Sequence, residues 1–108
     1  MAFCDVAGRP NKELFPGITT RTFWGEKLLL SRVELAAHAL APLHNHPHEQ
    51  AGVILQGEMD FTIGEETRHL VTGDLYIVPG NVMHEARAGA EGCVALEVFS
   101  PVRDSLQY

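Results

Sequence analysis

Four side chains that can coordinate a metal ion occur at short spacings in this sequence. His44 and His46 are two residues apart, and Gln50 lies four residues beyond His46. Residues two apart on an extended segment face the same way, so both imidazoles can meet at one point, which the Gln50 amide oxygen can also reach. His84 begins a later predicted strand and can approach from the other side of a barrel. This ligand set suits one divalent ion, with Zn, Ni, Mn and Fe all open.

A chance cluster of surface histidines near a proline-rich loop is the alternative interpretation. The metal site is favoured because the H-x-H pair directly precedes the apolar segment 51–55, and because a fourth ligand lies where a matching strand begins. His48 is two residues after His46, so on an extended segment it would face the same side as His44 and His46. Pro47, however, is expected to bend the chain there. We therefore expect His48 at the cavity rim or behind the ligands. His38 and His69 are expected to be ordinary surface or hydrogen-bonded histidines.

Short strands separated by turn signals must position these side chains. The predicted strands are residues 19–24, 27–35, 50–56, 58–63, 67–71, 74–78, 83–87 and 93–99. Met59, Phe61 and Ile63 alternate with polar residues, which is the period of a half-buried strand. Residues 34–40 are good helix formers, but Pro42 follows so closely that at most one helical turn fits. The fold class is all-β.

Length and charge limit the function further. A chain of 108 residues predicts one domain, with an N-terminal arm over residues 1–16 and a barrel over residues 17–108. The net charge of −6 argues against nucleic acid and membrane partners. No signal peptide or membrane-spanning run is found, so we expect a cytoplasmic protein. The spacing of Cys4 and Cys93 fits neither a metal site nor a disulfide framework, and Cys93 is expected to be a small buried residue.

Two spaced motifs resemble those of the cupin superfamily. The first motif, G-x5-H-x-H-x(3,4)-E-x6-G, is matched by His44, His46, Gln50 and Gly57, and the second, G-x5-P-x-G-x2-H-x3-N, by Gly73, Pro79 and His84. The departures are Ala37 or His38 for the leading glycine, Gln50 for glutamate, Asn81 for glycine and Ala88 for asparagine. The resemblance implies a single-domain cupin, a double-stranded β-helix of the jelly-roll type.

The glutamine at position 50 changes the expected chemistry. Three neutral imidazoles and a neutral amide leave the ion its full positive charge, which strengthens it as a Lewis acid. They also remove the anionic donor that helps iron to reach higher oxidation states, which disfavours oxygenase chemistry. Alternatively, glutamine only tolerates the same geometry.

The C-terminal residues 96–104 resemble the ending L-D-x-F-S-P-x-R-x-D of small cupins from pectin and alginate breakdown. Those proteins also carry the H-x-H-P-H-E-Q run of residues 44–50, and they convert a cyclic 4,5-unsaturated uronate into its linear ketone. The resemblance implies Glu97 and Arg103 as catalytic residues, and Arg103, Phe99 and His48 as substrate-binding residues. It also implies a homodimer and a small acidic sugar as substrate.

Glu97 stands out from its own strand as well. It is the one charged residue among the apolar residues 93–99, and a buried carboxylate is costly unless it is paired, hydrogen-bonded or protonated. Small Cys93 and Ala95 leave space beside it, and a raised pKa would suit proton transfer. The alternative is an ion pair between Glu97 and an arginine that holds the C-terminus down.

The leading hypothesis is a metal-dependent, isomerase-type enzyme that opens and ketonises an unsaturated uronate. A metal-dependent dioxygenase is the second possibility, against which Gln50 counts. A non-catalytic module that binds a metal ion or a sugar is the third, because the barrel hosts many functions.

Overall fold

Eight antiparallel strands contain most of the described residues, which confirms the all-β prediction. The computed structural model describes residues 2–108; Met1, predicted to begin the N-terminal arm, lies outside the described residues. The strands are β1 (Lys12–Phe15), β2 (Ile18–Trp24), β3 (Leu29–Leu35), β4 (Leu40–His44), β5 (Glu49–Ile63), β6 (Glu66–Val71), β7 (Leu75–Val78) and β8 (His84–Ser100), followed by a 3-10 helix, Asp104–Leu106. Within residues 2–108, no helix has the length and apolar character needed to cross a bilayer.

Two long strands, β5 and β8, run through the centre of the fold. The order of the sheet is β1-β2-β3-β8-β5-β6, with β4 paired to β8 and β7 paired to β5. The first part of β8 pairs with β4 and the end of β5, while its last part pairs with β3 and the beginning of β5. Each long strand therefore belongs to both sides of the barrel.

Each of these strands was wrongly predicted as two shorter strands. Gly57, taken as a break, lies inside β5 at a φ of 80°, next to a shift in the register with β8. A Cβ at this position would lie 2.2 Å from the Gly92 carbonyl oxygen of the neighbouring strand. The glycine thus allows β5 to bend as a bulge without leaving the sheet.

Strands β1 and β4 were not predicted. β4 contains Pro42, which has no backbone N–H to donate. The strand tolerates this residue because it is an edge strand that pairs only with β8. The possible helical turn over residues 34–40 is instead the end of β3, a turn closed by an Ala39 to Ala36 hydrogen bond, and the start of β4. β1 lies inside the predicted arm, and it pairs with β2, which begins after the arm. The division at residue 17 stays a prediction.

Alternating burial on the strands defines a core inside the barrel. The buried members of the main cluster are Ile18, Val33, Leu35, Ile54, Met59, Phe61, Leu70, Tyr76, Val78, Ala86, Ala88, Cys93 and Ala95. Cys93 is buried, as predicted. In the apolar last part of β8, Val94, Leu96 and Val98 are only partly buried, because they lie on the outer side of the barrel.

A second, smaller cluster fixes the C-terminal segment to the barrel. Leu106 is 4% exposed and packs with Leu29 and Phe99. The Thr22 hydroxyl donates to the Leu106 carbonyl, and Lys12 Nζ donates to the Ser105 carbonyl at 2.8 Å. These contacts bring the segment that carries Arg103 to the barrel cavity.

Candidate metal centre and substrate cavity

Three histidines converge where β4, β8 and the loop before β5 meet. His44 ends β4 and His84 begins β8, and the two are partners in the sheet with ring centroids 4.2 Å apart. His46 follows in the loop. One ligand atom of each histidine lies within 4.8 Å of those of the other two. The structure therefore brings the predicted triad together.

The same ring nitrogen of each histidine is occupied by a backbone carbonyl. Nδ1 of His44, His46 and His84 lies 2.6, 3.0 and 2.9 Å from the carbonyl oxygens of Pro42, His48 and Val82, respectively. A carbonyl oxygen only accepts hydrogen bonds, so Nδ1 carries the proton and Nε2 keeps a free lone pair. A hydrogen bond from Nδ1 to a carbonyl fixes the ring and leaves Nε2 to bind, as is typical of metal-ligating histidines.

The Nε2 atoms of His84 and His46 each have a lone pair that no hydrogen-bond donor of the described residues contacts. His84 Nε2 is buried with no hydrogen-bond partner among residues 2–108. His46 Nε2 lies 3.0 Å from Gln50 Oε1. A neutral His46 has one proton, and the His48 carbonyl uses it, so two lone pairs face each other at the Gln50 contact. A cation bound there would resolve both problems, and the residues therefore fit a divalent metal ion.

Burial keeps these ligands in the form that binds metals. It lowers the pKa of His46 to about 4, with the Arg103 charge acting in the same direction. Burial also lowers the pKa of His84. Both imidazoles are therefore neutral near pH 7, as coordination requires.

A cavity of about 290 Å³ opens beside the triad. Its lining includes His44, Gln50, His84, Phe99 and Arg103, together with Glu97. One oxygen of the Glu97 carboxylate, Oε2, accepts hydrogen bonds from Gln50 Nε2 at 2.5 Å and from the Tyr76 hydroxyl at 2.7 Å. Loss of water raises the pKa of Glu97, although these two bonds and Arg103 oppose the shift.

Arg103 reaches the cavity from the C-terminal segment. Its guanidinium carbon lies 4.8 Å from the centre of the Phe99 ring, whose other neighbour is the His46 ring at 5.6 Å. Burial lowers the pKa of Arg103. No ion pair among residues 2–108 includes Glu97 or Arg103, so the alternative of an ion pair that ties down the C-terminus is not seen there. Within the described residues, the guanidinium therefore lines the cavity without an ion-pair partner.

The remaining histidines lie outside this cavity. His48 is not among its lining residues, and its carbonyl orients His46, so substrate contact by His48 stays a prediction without support from the geometry. His69 is exposed and contacts Asp60 and Glu58, as expected of a hydrogen-bonded surface histidine. His38 is exposed in a turn with a φ of 61°, near the position where the cupin motif has glycine.

Five polar residues of the cavity lining were not predicted from the sequence: Lys12, Glu13, Ser31, Tyr76 and Ser105. Lys12 lies in the predicted arm. Ser31 and Tyr76 lie inside predicted strands, where nothing in the sequence distinguishes them from other strand residues. One signal for Tyr76 was present, because Gly52 interrupts an apolar strand, and a glycine there often marks a close approach by another group.

Known proteins resemble this chain in both sequence and structure. The Cupin_2 family, described as a cupin domain, matches residues 31–99. The pectin degradation protein KdgF of Dickeya dadantii (strain 3937) is 34% identical over 96 residues, which is 87% of each protein. H2HPP isomerase of Bacillus subtilis is 37% identical over 62 residues, 56% of this chain and 25% of that protein.

Two solved structures share the architecture. KdgF from Halomonas sp. superimposes with a TM-score of 0.91 at 27% identity, and the alignment covers 99% of both chains. An RmlC-like cupin from Shewanella frigidimarina NCIMB 400 gives a TM-score of 0.92 at 21% identity, over 99% of this chain and 96% of that one. The second likeness concerns the fold alone.

Proposed function

This chain belongs to the cupin family, and from that premise we propose that it is a metal-dependent enzyme that opens and ketonises a small unsaturated uronate. The similarity to a pectin degradation protein supports this substrate class, because pectin is built from uronates. The resemblance of residues 96–104 to the cupins that linearise 4,5-unsaturated uronates supports the reaction.

The observation that carries the proposal is the content of one cavity. A carboxyl group with a raised pKa, Glu97, shares it with the guanidinium of Arg103 and with His44 and His84, two of the three histidines of the triad. The cavity volume of about 290 Å³ lies at the small end of ligand sites, which run from roughly 300 to 1,000 Å³. A single sugar acid suits that size and charge.

In the proposed isomerisation no atom is gained or lost. The Glu97 carboxylate accepts the proton of the anomeric hydroxyl, and the bond from the anomeric carbon to the ring oxygen breaks. Its electron pair stays on that oxygen, which yields an aldehyde and an enolate. Glu97 then returns the proton to the former alkene carbon, and the enolate becomes a ketone. A raised pKa suits a group that gains and then loses a proton near neutral pH.

The other residues bind and orient the sugar. Arg103 presents a planar fork of donors that matches the uronate carboxylate, and Phe99 supports both that guanidinium and the His46 ring. His44, His46, Gln50 and His84 would hold the divalent ion, which when bound supplies Lewis acidity toward a substrate oxygen. The identity of the ion, Zn, Ni, Mn or Fe, is left to measurement.

The test follows the loss of absorbance of the conjugated double bond of a 4,5-unsaturated galacturonate. We expect metal-loaded protein to accelerate this loss, and both chelated protein and Glu97→Gln to be slower by roughly 100-fold or more. Glu91→Gln is the matched control, since Glu91 is an exposed residue of the same strand. If metal-loaded wild-type protein only matches the uncatalysed rate, the proposal fails. Calorimetric binding of the sugar without turnover would then favour a non-catalytic cupin.

The homodimer also remains part of the proposal. Its support is the family resemblance and the apolar outer surface of β5 and β7, where Leu55, Leu75 and Ile77 are 44%, 76% and 64% exposed. Light scattering would give the mass in solution, and the mass of a single chain would contradict the dimer. The cytoplasmic location stays a prediction.

A further inference from the structure

Tyr76 is a buried side chain of the site to which the uronate reaction assigns no role. Its hydroxyl donates to Glu97 Oε2 at 2.7 Å, and the side chain is 8% exposed. The ring is held edge-on against Phe61, with centroids 4.8 Å apart. A phenol fixed in this way presents one hydrogen-bond donor in one direction, toward the carboxylate.

The contact exists because the residue between the two partners is a glycine. Tyr76 on β7 pairs with Gly52 on β5, and Gly52 pairs in turn with Glu97 on β8. A Cβ on Gly52 would lie 2.3 Å from Tyr76 Cζ and 2.4 Å from the hydroxyl oxygen. Gly52 is not among the residues with positive φ, so space rather than backbone conformation requires the glycine. The phenol crosses β5 over this gap.

We infer that Tyr76 is a positioning residue for Glu97, and that Gly52 is the position that admits it. This inference rests on the proposed function of Glu97. Tyr76 and Gln50 both donate to Oε2, and no hydrogen bond among residues 2–108 involves the other oxygen, Oε1. One oxygen is therefore anchored, and the other is available for the proton transfer.

The length of the Glu97 side chain gives a reason for two anchors. Glutamate stands here where the related C-terminal pattern has aspartate, and its extra methylene adds a rotatable bond. Ordering that bond costs conformational entropy, which the two hydrogen bonds offset in the folded protein. A carboxylate held by only one donor would spend a smaller fraction of its time in the orientation that reaches the substrate. Therefore kcat would fall, while substrate binding would stay the same.

The experiment compares Tyr76→Phe, Gly52→Ala and the double variant in the unsaturated-uronate assay. Each single variant is expected to lower kcat about tenfold with KM within about twofold, and the double variant to be no slower than the slower single variant. Bound metal, measured by elemental analysis, should stay at the wild-type level. Gly25→Ala is the control, because nothing lies within 4 Å of a Cβ built at Gly25.

Wild-type kcat in Tyr76→Phe would overturn the inference, and so would losses that multiply in the double variant. A lowered kcat accompanied by lost metal would also overturn it, since the role would then be structural. If Gly52→Ala does not fold, Tyr76→Phe alone decides, because it keeps the ring.

An inert wild-type protein would refute the proposed function and leave the positioning to be judged from crystal structures. A contact between Tyr76 and Glu97 that is present in the wild type and absent in Gly52→Ala supports the inference. A wild-type structure without that contact overturns it.

Discussion

The amide nitrogen of Gln50 lies 2.5 Å from Glu97 Oε2, while the amide oxygen of the same side chain lies 3.0 Å from His46 Nε2. One residue thus contacts both the proposed proton-transfer group and the histidine triad. Its amide nitrogen donates to Glu97, while its amide oxygen keeps lone pairs that face the triad. An ionised glutamate has acceptors only, so the usual cupin residue could not donate to Glu97.

The first prediction concerns Gln50→Glu. Two carboxylates at this distance cannot both ionise, so the pair shares one proton, and Glu97 is no longer a free base for the proton of the anomeric hydroxyl. We expect kcat to fall roughly 100-fold, the scale of a general acid–base contribution. Steady-state kinetics on metal-loaded protein would measure it. Gln56→Glu is the matched control on the exposed side of β5, and equal kinetics for the two variants would contradict the assigned contact.

The second prediction concerns metal binding. His84 contributes a buried Nε2 without any other partner, so His84→Ala should lower metal affinity by more than about 100-fold. Elemental analysis after dialysis would give the ion content, and the thermal shift on adding the ion should vanish in the variant. His69→Ala removes an exposed histidine from another face, and it should retain the wild-type ion content. Retention of the ion by His84→Ala would exclude this site.

The third prediction follows from the pKa of His46, which burial lowers from 6.5 to about 4. Between these two values the unfolded chain binds a proton that the folded chain does not, so the free energy of unfolding decreases as pH falls through this window. In chelated protein, the melting temperature should therefore drop between pH 6.5 and pH 4.5.

His46→Gln isolates this effect from Glu97, whose raised pKa contributes with the opposite sign. The variant should show a smaller drop in melting temperature than the wild type over the same pH range. A long-range proton–nitrogen spectrum of His46 at pH 6 should also show a neutral ring with its proton on Nδ1. A doubly protonated ring, or equal pH profiles for the two proteins, would contradict the prediction.

The fourth prediction tests how Arg103 is held. Leu106 is 4% exposed and anchors the C-terminal segment, so Leu106→Ala should cost about 2–4 kcal/mol in the free energy of unfolding, measured with urea. It should also raise KM for the uronate, because Arg103 is no longer fixed above Phe99. Leu28→Ala, at a position 44% exposed and outside the cavity lining, should change neither quantity appreciably. An unchanged KM in a destabilised Leu106→Ala would separate Arg103 from the anchor.

Several local features followed from the sequence because short-range rules decide them. Asn81 stands where the cupin motif has glycine, and it adopts a φ of 67°, a left-handed conformation that asparagine tolerates. Gly64 begins the turn after Ile63, and its φ is 61°. The strand divisions failed because a glycine that bends a strand looks, in sequence, like a glycine that ends one.

The sequence by itself determined the ligand types, their spacing and the all-β character of this protein. Two histidines that face the same way on an extended segment and a third at the start of a strand were enough to predict that His44, His46 and His84 converge. Only the tertiary structure decided how Glu97 is held, since its partners Gln50 and Tyr76 come from two other strands. The register across β7, β5 and β8 aligns Tyr76, Gly52 and Glu97, and the gap at Gly52 lets the phenol pass. Such a contact depends on strand pairing between distant residues, and local periodicity carries no information about that pairing.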